Sequence, residues 1–162
     1  MHKINIFQIV VDHFGTLKVA GRQALSIFDL FVFFVLPAMF SFALYHFNVT
    51  VSDRILEQFS VGFSIIFGFL LNVQVLIFSI GKRHADSDRL KLLKETFANV
   101  SFAILVSLLV LSMSIILLFF DSESMTRIWA GYVLFYLLGV LLFTIIMIFK
   151  RVHISLSKEM EG

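Results

Sequence analysis

A run without a single charged residue extends from Gln58 to Gly81. A transmembrane helix needs about 20 apolar residues, so this run is long enough to cross a bilayer. Residues four apart in a helix lie on nearly the same face, and small residues at that spacing let a second helix approach closely. The pattern therefore predicts either a tight packing seam within one bundle or a face that lines a pore or a subunit interface. Small or polar residues occupy every fourth position of the run, at Ser60, Ser64, Gly68 and Asn72 (the polar row).

The composition extends this constraint to the whole chain. Of its 162 residues, 59% are hydrophobic and 21 are Phe, and the mean hydropathy is +0.97. A soluble domain of this length could not bury so much apolar surface, whereas a membrane protein exposes it to lipid. The chain has no Cys, which excludes disulfides and thiolate metal sites. We therefore predict an all-α integral membrane protein.

Hydropathy predicts a single membrane domain, a four-helix bundle with spans at about 27–47, 58–80, 96–120 and 128–149. The second span, which carries the polar row, is expected to be the central helix. Residues 1–26 precede the first span and place Phe7, Val10, Val11 and Phe14 at helical spacing. This segment is expected to form an amphipathic helix on the membrane surface or on a partner.

The first predicted span contains two features that could be structural or functional. Ser26 and Asp29 fit a Ser-x-x-Asp capping pattern, so Asp29 is expected to cap the helix; the alternative is an acid facing a cation pathway. Pro37 lies in mid-span and should kink the helix, because it removes one backbone hydrogen bond. A gating hinge at Pro37 is the alternative.

The Lys and Arg residues predict the orientation. Eleven of the 13 lie in the N-terminal segment, in the loop between the second and third spans and in the tail, and the other two are Arg54 and Arg127. Positively charged flanks stay in the cytoplasm, so both termini and the central loop, 81–95, are expected inside, together with the tail, 150–162.

The central loop is the most charged segment of the chain. It is interpreted either as a solvated connection or as a docking site for a cytoplasmic partner protein or for the headgroups of membrane lipids. The residues predicted for such docking are Lys82, Arg83, Arg89, Lys91 and Lys94.

No catalytic motif is present. The five His residues are scattered over loops and termini without metal-ligand spacing, and no Gly-rich phosphate loop or nucleophile elbow occurs. We expect no enzyme activity, no cofactor and no metal. No carboxylate other than Asp29 falls in a span, which argues against proton-driven transport. A net charge of +2 gives no reason to expect direct nucleic-acid binding.

A chain of this kind is expected to work by assembly. One copy of a four-helix bundle has little room for a channel, while several copies around an axis could enclose one. We expect a homo-oligomer, with a tetramer as the expected size. Asn72 and Gln74 are the candidate polar lining residues, and Phe67 and Phe69 are candidate constriction residues.

Two stretches of the sequence resemble parts of known membrane proteins. Asp29 to Pro37 (Asp-Leu-Phe-Val-Phe-Phe-Val-Leu-Pro) and Ser64 to Gln74 (Ser-Ile-Ile-Phe-Gly-Phe-Leu-Leu-Asn-Val-Gln) resemble small four-span proteins of bacterial anti-phage defence operons, namely the membrane subunit of Kiwa and the channel-type effector of Hailong. The Kiwa resemblance implies a cytoplasmic, DNA-binding partner and a part in sensing infection at the membrane. A Hailong effector carries an extra cytoplasmic domain that this chain has no room for, so the comparison with Kiwa is favoured.

The sequence thus predicts an oligomeric subunit of the bacterial inner membrane that senses infection, or perturbs the membrane, together with a cytoplasmic partner. A self-sufficient ion or solute channel or transporter is the alternative. A purely structural membrane anchor is a third hypothesis.

Overall fold

The computed structural model of the protein describes residues 6–17, 31–81 and 87–160, in which all regular secondary structure is helical. Ser26, Asp29, Lys82 and Arg83 lie outside these ranges. In chain order the elements are α1 (Ile6–Thr16), a π-helical turn (Phe31–Val35) that continues as α2 (Leu36–His46), α3 (Asp53–Gly81), α4 (Ser87–Leu117) and α5 (Met125–Met160).

Three of these helices are long and apolar enough to cross a membrane. Their membrane-compatible stretches are Asp53–Ser79, Leu90–Leu117 and Met125–His153. A shorter apolar helix, Phe31–His46, precedes them. The all-helical class is therefore confirmed for the described residues, and the length and apolar character of these helices support the predicted membrane protein.

Charged residues end the predicted spans but do not end the helices. Ser87 already begins α4 within the predicted central loop, and α5 continues through Lys150 and Arg151 to Met160. Lys, Arg and Glu are good helix formers, so a helix can leave the apolar layer without breaking. The start of α4 and the end of α5 consequently extend beyond the membrane-compatible stretches of these helices.

Within the described ranges the helices pack as an open row rather than as a closed ring. Along the row the order is α3, α4, α5, α2, and α1 lies against α4. Within the described ranges the backbones of α2 and α3 do not approach each other. The helix with the most neighbours is therefore α4, not α3, which the sequence had suggested as the central helix.

A seven-residue repeat builds the seam between α3 and α4. In α3 the buried side chains are Leu56, Phe63, Leu70 and Ile77, each one heptad after the last. Partly buried Phe59, Ile66 and Val73 fill the positions between them. This alternation of three and four residues is the spacing of knobs-into-holes packing. The seam of α3 is thus made of large apolar side chains.

Pro37 stands where the π-helical turn becomes α2. Because proline has no backbone N–H, the preceding turn loses a donor, and a change of helix type is one way to accommodate that loss. The ring is buried against α5, where a Cβ atom built on Gly139 would lie 2.8 Å from Cβ of Pro37. Gly139 is therefore the residue that lets α2 and α5 approach this closely.

Candidate functional site

The polar row of α3 lies off the seam with α4. Ser60 is half-buried, Ser64 and Asn72 are exposed, and a Cβ built on Gly68 would meet nothing within 4 Å. The two serine hydroxyls donate to carbonyls of their own helix, Ser60 to Leu56 at 2.9 Å and Ser64 to Ser60 at 2.7 Å. Among the described residues the row therefore takes no part in the seam between α3 and α4. Its other interpretation, a face towards a pore or another subunit, stays a prediction.

The two candidate lining amides occupy different environments. Gln74 is half-buried and its Nε2 donates to Oγ of Ser101 on α4 at 3.0 Å. Asn72 is exposed, and its amide has no hydrogen-bond partner in the described part of the chain. Gln74 thus joins α3 to α4, while the exposed amide of Asn72 could hydrogen-bond to another molecule.

A second polar cluster, which the sequence did not predict, joins α1 to α4. His13 is fully buried, and its Nδ1 lies 2.9 Å from Oδ1 of Asn99. The imidazole stacks on Phe102, with ring centroids 3.9 Å apart and planes 5° from parallel. Thr16 places its hydroxyl 2.8 Å from the same Asn99 oxygen. The buried side of α1 is therefore partly polar, while Phe7 and Val11 of the predicted apolar face are exposed.

This cluster is incompletely satisfied. Nε2 of His13 and Nδ2 of Asn99 are both buried without a hydrogen-bond partner among the described residues. Burial lowers the pKa of His13, which lies outside the membrane-spanning helices, from 6.5 to about 4; the hydrogen bond with Asn99 opposes this and the charge of Arg151 adds to it. His13 is accordingly neutral at physiological pH.

Arg151 fastens the same end of the bundle. Its Nη1 donates to Oε2 of Glu95 on α4 at 2.5 Å, and its Nη2 donates to the carbonyl of Thr16 at 2.9 Å. The last carbonyls of a helix carry partial negative charge, so a cation is favourable at the end of α1. One guanidinium thus holds α1, α4 and α5 together.

At the opposite end of the bundle, Arg127 joins α5 to α3 and to two loops. It is buried at the start of α5, donates to the carbonyls of Phe120 at 2.9 Å and Val51 at 3.2 Å, and pairs with Asp53 at the start of α3. The carboxylate of Asp53 remains 65% exposed. In the sequence Arg127 counted only as one positive charge in a loop, whereas in the structure its guanidinium joins two loops.

The two arginines bracket the apolar part of α5. They are 24 residues apart, which is about 36 Å along the helix axis at 1.5 Å per residue. The hydrocarbon core of a bilayer is about 30 Å thick. Both guanidinium groups can therefore sit at the edges of the hydrocarbon, one on each side.

The structure describes the side chains of only two of the five cations predicted for docking. Lys91 and Lys94 lie in the first turns of α4 with exposed side chains, and the helix reaches Arg89, of whose side chain nothing is described. No ion pair of Lys91 or Lys94 is found among the described residues. The described part of the chain also contains no group of three His, Cys, Asp or Glu side chains that could hold a metal ion.

No protein-family model, curated protein or solved structure matches this chain. Its class is therefore defined by its own helices, whose length and apolar character are those of a helical membrane protein. Among the described residues, the polar row and the His13 cluster are the two candidate sites.

The Arg127 contacts predict unequal effects of two substitutions. Arg127→Met removes donors from two carbonyls and should lower the free energy of unfolding by about 2–3 kcal/mol. Asp53→Asn keeps an acceptor beside the guanidinium and removes only a largely exposed charge, so its cost should stay below about 1 kcal/mol. Denaturant titration of both variants in mixed micelles, followed by circular dichroism, measures the difference. Equal losses would show that the ion pair, and not the carbonyl contacts, supplies the stability.

The buried His13 predicts that α1 detaches in acid. Because the pKa is lower in the docked state, the undocked helix binds a proton more readily, and docking weakens as pH falls from 6.5 towards 4. Docking is fully favourable above pH 6.5. Between pH 7.5 and pH 5 it should lose about 2 kcal/mol. A fluorophore on a cysteine introduced at Gln8, in a chain without other cysteines, reports the detachment; the control His13→Gln should show no such pH dependence.

Proposed function

We propose that this protein is a non-enzymatic membrane subunit that self-associates through the polar row of α3. The observation that carries this proposal is the direction of the row: Asn72 and Ser64 are exposed on a helix whose opposite side is already packed against α4. An amide that faces hydrocarbon without a partner is costly, and a second helix that hydrogen-bonds to it removes that cost.

A second copy of the same chain supplies the required surface. Open space around Gly68 lets another helix approach α3 closely, and the same row on a partner places one Asn72 amide near another. Repetition around a symmetry axis gives a closed ring, with a tetramer as the proposed size. The polar row then lies between subunits or faces a central pore, where the absence of charge would leave gating to hydrophobic constriction.

The proposed topology has four spans, with both termini and the start of α4 in the cytoplasm. The excess of Lys and Arg on that side supports it. The structure adds that Arg127, one of only two cations assigned to the other side, is held by two carbonyls and by Asp53. Its charge is consequently compensated within the protein.

The role in anti-phage defence is proposed from the resemblance of the two stretches to Kiwa-type membrane subunits. In this proposal the exposed Lys91 at the start of α4, together with Arg89, contacts a soluble cytoplasmic partner. The assembly then senses infection at the bacterial inner membrane, or perturbs the membrane, together with that partner.

Self-association predicts a selective cross-link. Ser64→Cys is nearly isosteric and places the only thiol of the chain on the polar row. Oxidation with copper phenanthroline in native membranes should give a disulfide-linked dimer on a non-reducing gel. The matched control is Ile146→Cys, which puts the thiol on an exposed position of α5 and should stay monomeric.

Asn72→Leu tests the chemical reason for this contact. Loss of the amide should reduce the Ser64→Cys cross-link about tenfold, which corresponds to about 1.4 kcal/mol, within the range for interhelical hydrogen bonds in membranes. Equal cross-linking at Ser64 and Ile146 would refute a specific interface on α3.

The partner proposal predicts a charge-dependent complex. Replacing Arg89 and Lys91 with Glu should abolish the recovery of a soluble protein with the tagged chain, and should also abolish protection against phage in a plaque assay of the native host. Arg54→Glu, which reverses a cation assigned to the other side, should change neither result. Substrate-dependent flux in liposomes that contain this chain alone would instead favour a self-sufficient channel or transporter.

A further inference from the structure

A trench of about 940 Å³ runs along α4 between α1 and the end of α3. Its floor is the stretch of α4 from Leu90 to Ser101, one wall includes Asp12 and Gly15 of α1, and the other is Ile77 and Phe78 of α3. Most of this lining is apolar. The volume lies in the range of small-molecule and cofactor sites, about 300–1,000 Å³.

The trench enters one membrane leaflet from its edge. Lys94 and Glu95 of the floor lie at the level of Arg151, at the edge of the hydrocarbon, and from Lys94 to Ser101 the floor extends about 10 Å along the helix axis, within the roughly 15 Å of half of the hydrocarbon core. Ile77 and Phe78 belong to the last turn of the membrane-compatible stretch Asp53–Ser79. At Ser101 the hydrogen bond from Gln74 ties α3 to α4 and marks the deep end. A single acyl chain fits this outline.

Three charged residues line the trench, and their pairing indicates which lipid headgroup could bind there. Asp12 on the α1 wall receives a hydrogen bond from the neutral Gln8 at 2.7 Å, which leaves its negative charge uncompensated. Lys94 on the floor is exposed and forms no ion pair among the described residues. Glu95, the third charged residue of the lining, is paired with Arg151. Among the described residues of the lining, one cation and one anion therefore remain without an ion pair.

We propose that the trench binds one phospholipid with a zwitterionic headgroup that carries a phosphate and a primary ammonium, as phosphatidylethanolamine does. Lys94 contacts the phosphate, Asp12 contacts the ammonium, and the acyl chain lies on α4 between the walls. Asp12 disfavours a purely anionic lipid, because an unpaired carboxylate beside the phosphate adds repulsion without a compensating contact.

Gly15 offers a way to fill the trench without disturbing the fold. It lines the trench, and a Cβ built on it would meet nothing within 4 Å. Gly15→Leu therefore occupies space that the acyl chain needs. The matched control is Gly62→Leu on α3, which is equally unobstructed and lies outside the trench.

Native mass spectrometry of the full chain, released from vesicles with equal amounts of phosphatidylethanolamine and phosphatidylglycerol, tests the proposal. The unsubstituted chain should retain one phosphatidylethanolamine, Gly15→Leu should retain at least tenfold less, and Gly62→Leu should match the unsubstituted chain. Equal retention of the two lipids by the unsubstituted chain, or undiminished retention by Gly15→Leu, would overturn it.

A charge reversal tests the headgroup assignment. Asp12→Lys makes both free charges of the trench positive and should shift retention towards phosphatidylglycerol by at least tenfold. Glu57→Lys changes the net charge equally at an exposed position in the first turns of α3 and should leave the preference unchanged. A preference that is the same in Asp12→Lys as in the unsubstituted chain would overturn the pairing of Asp12 with the ammonium. Both readouts are taken on the single chain and do not depend on self-association.

Discussion

Polar groups in this protein must find partners without water, and the rest of the structure follows from that requirement. Ser107, Ser114 and Thr144 are buried in apolar helices, and each donates to a carbonyl of its own helix. Such hydroxyls need no neighbour, so they place no constraint on packing. Amides and guanidinium groups cannot be satisfied in this way. Gln74 reaches Ser101, and Arg127 reaches two loop carbonyls. The described helices are therefore joined by these larger or charged side chains, and in addition by two hydroxyls, those of Thr16 on Asn99 and of Ser41 on the carbonyl of Tyr132.

The same requirement explains how far the sequence could predict the fold. Apolar length alone predicts helices that cross a membrane, because hydrocarbon leaves few other backbone structures possible. The packing face of α3 was much harder to predict. In a soluble helix the buried stripe is the apolar one, but a membrane helix is apolar all round, so the heptad Leu56, Phe63, Leu70, Ile77 does not stand out from its surroundings. The small and polar residues stand out instead, and they lie off the seam between α3 and α4.

The His13 cluster could not be predicted for a different reason. Its members are separated by 86 residues, and neither is marked by a local pattern. Apolar spacing in α1 marked Phe7, Val10, Val11 and Phe14, yet the helix turns His13 inward, where its Nδ1 lies within hydrogen-bond distance of Asn99. Asn99 itself carried a usable signal: it is an amide near the start of a predicted span, where polar residues are expected to make specific contacts.

The docking of α1 and the proposed occupation of the trench are thermodynamically linked. Helix α1 provides one wall of the trench, and it is held by His13, Thr16 and the contact of Arg151 with its last carbonyl. Two buried polar atoms in this cluster lack partners, so its net stabilisation is smaller than the number of contacts suggests. A lipid that contacts Asp12 binds only while α1 is docked, and by reciprocity it stabilises docking by as much as docking favours the lipid. In this proposal the incompletely satisfied contact between His13 and Asn99 thus couples the binding of a membrane lipid to the docking of α1.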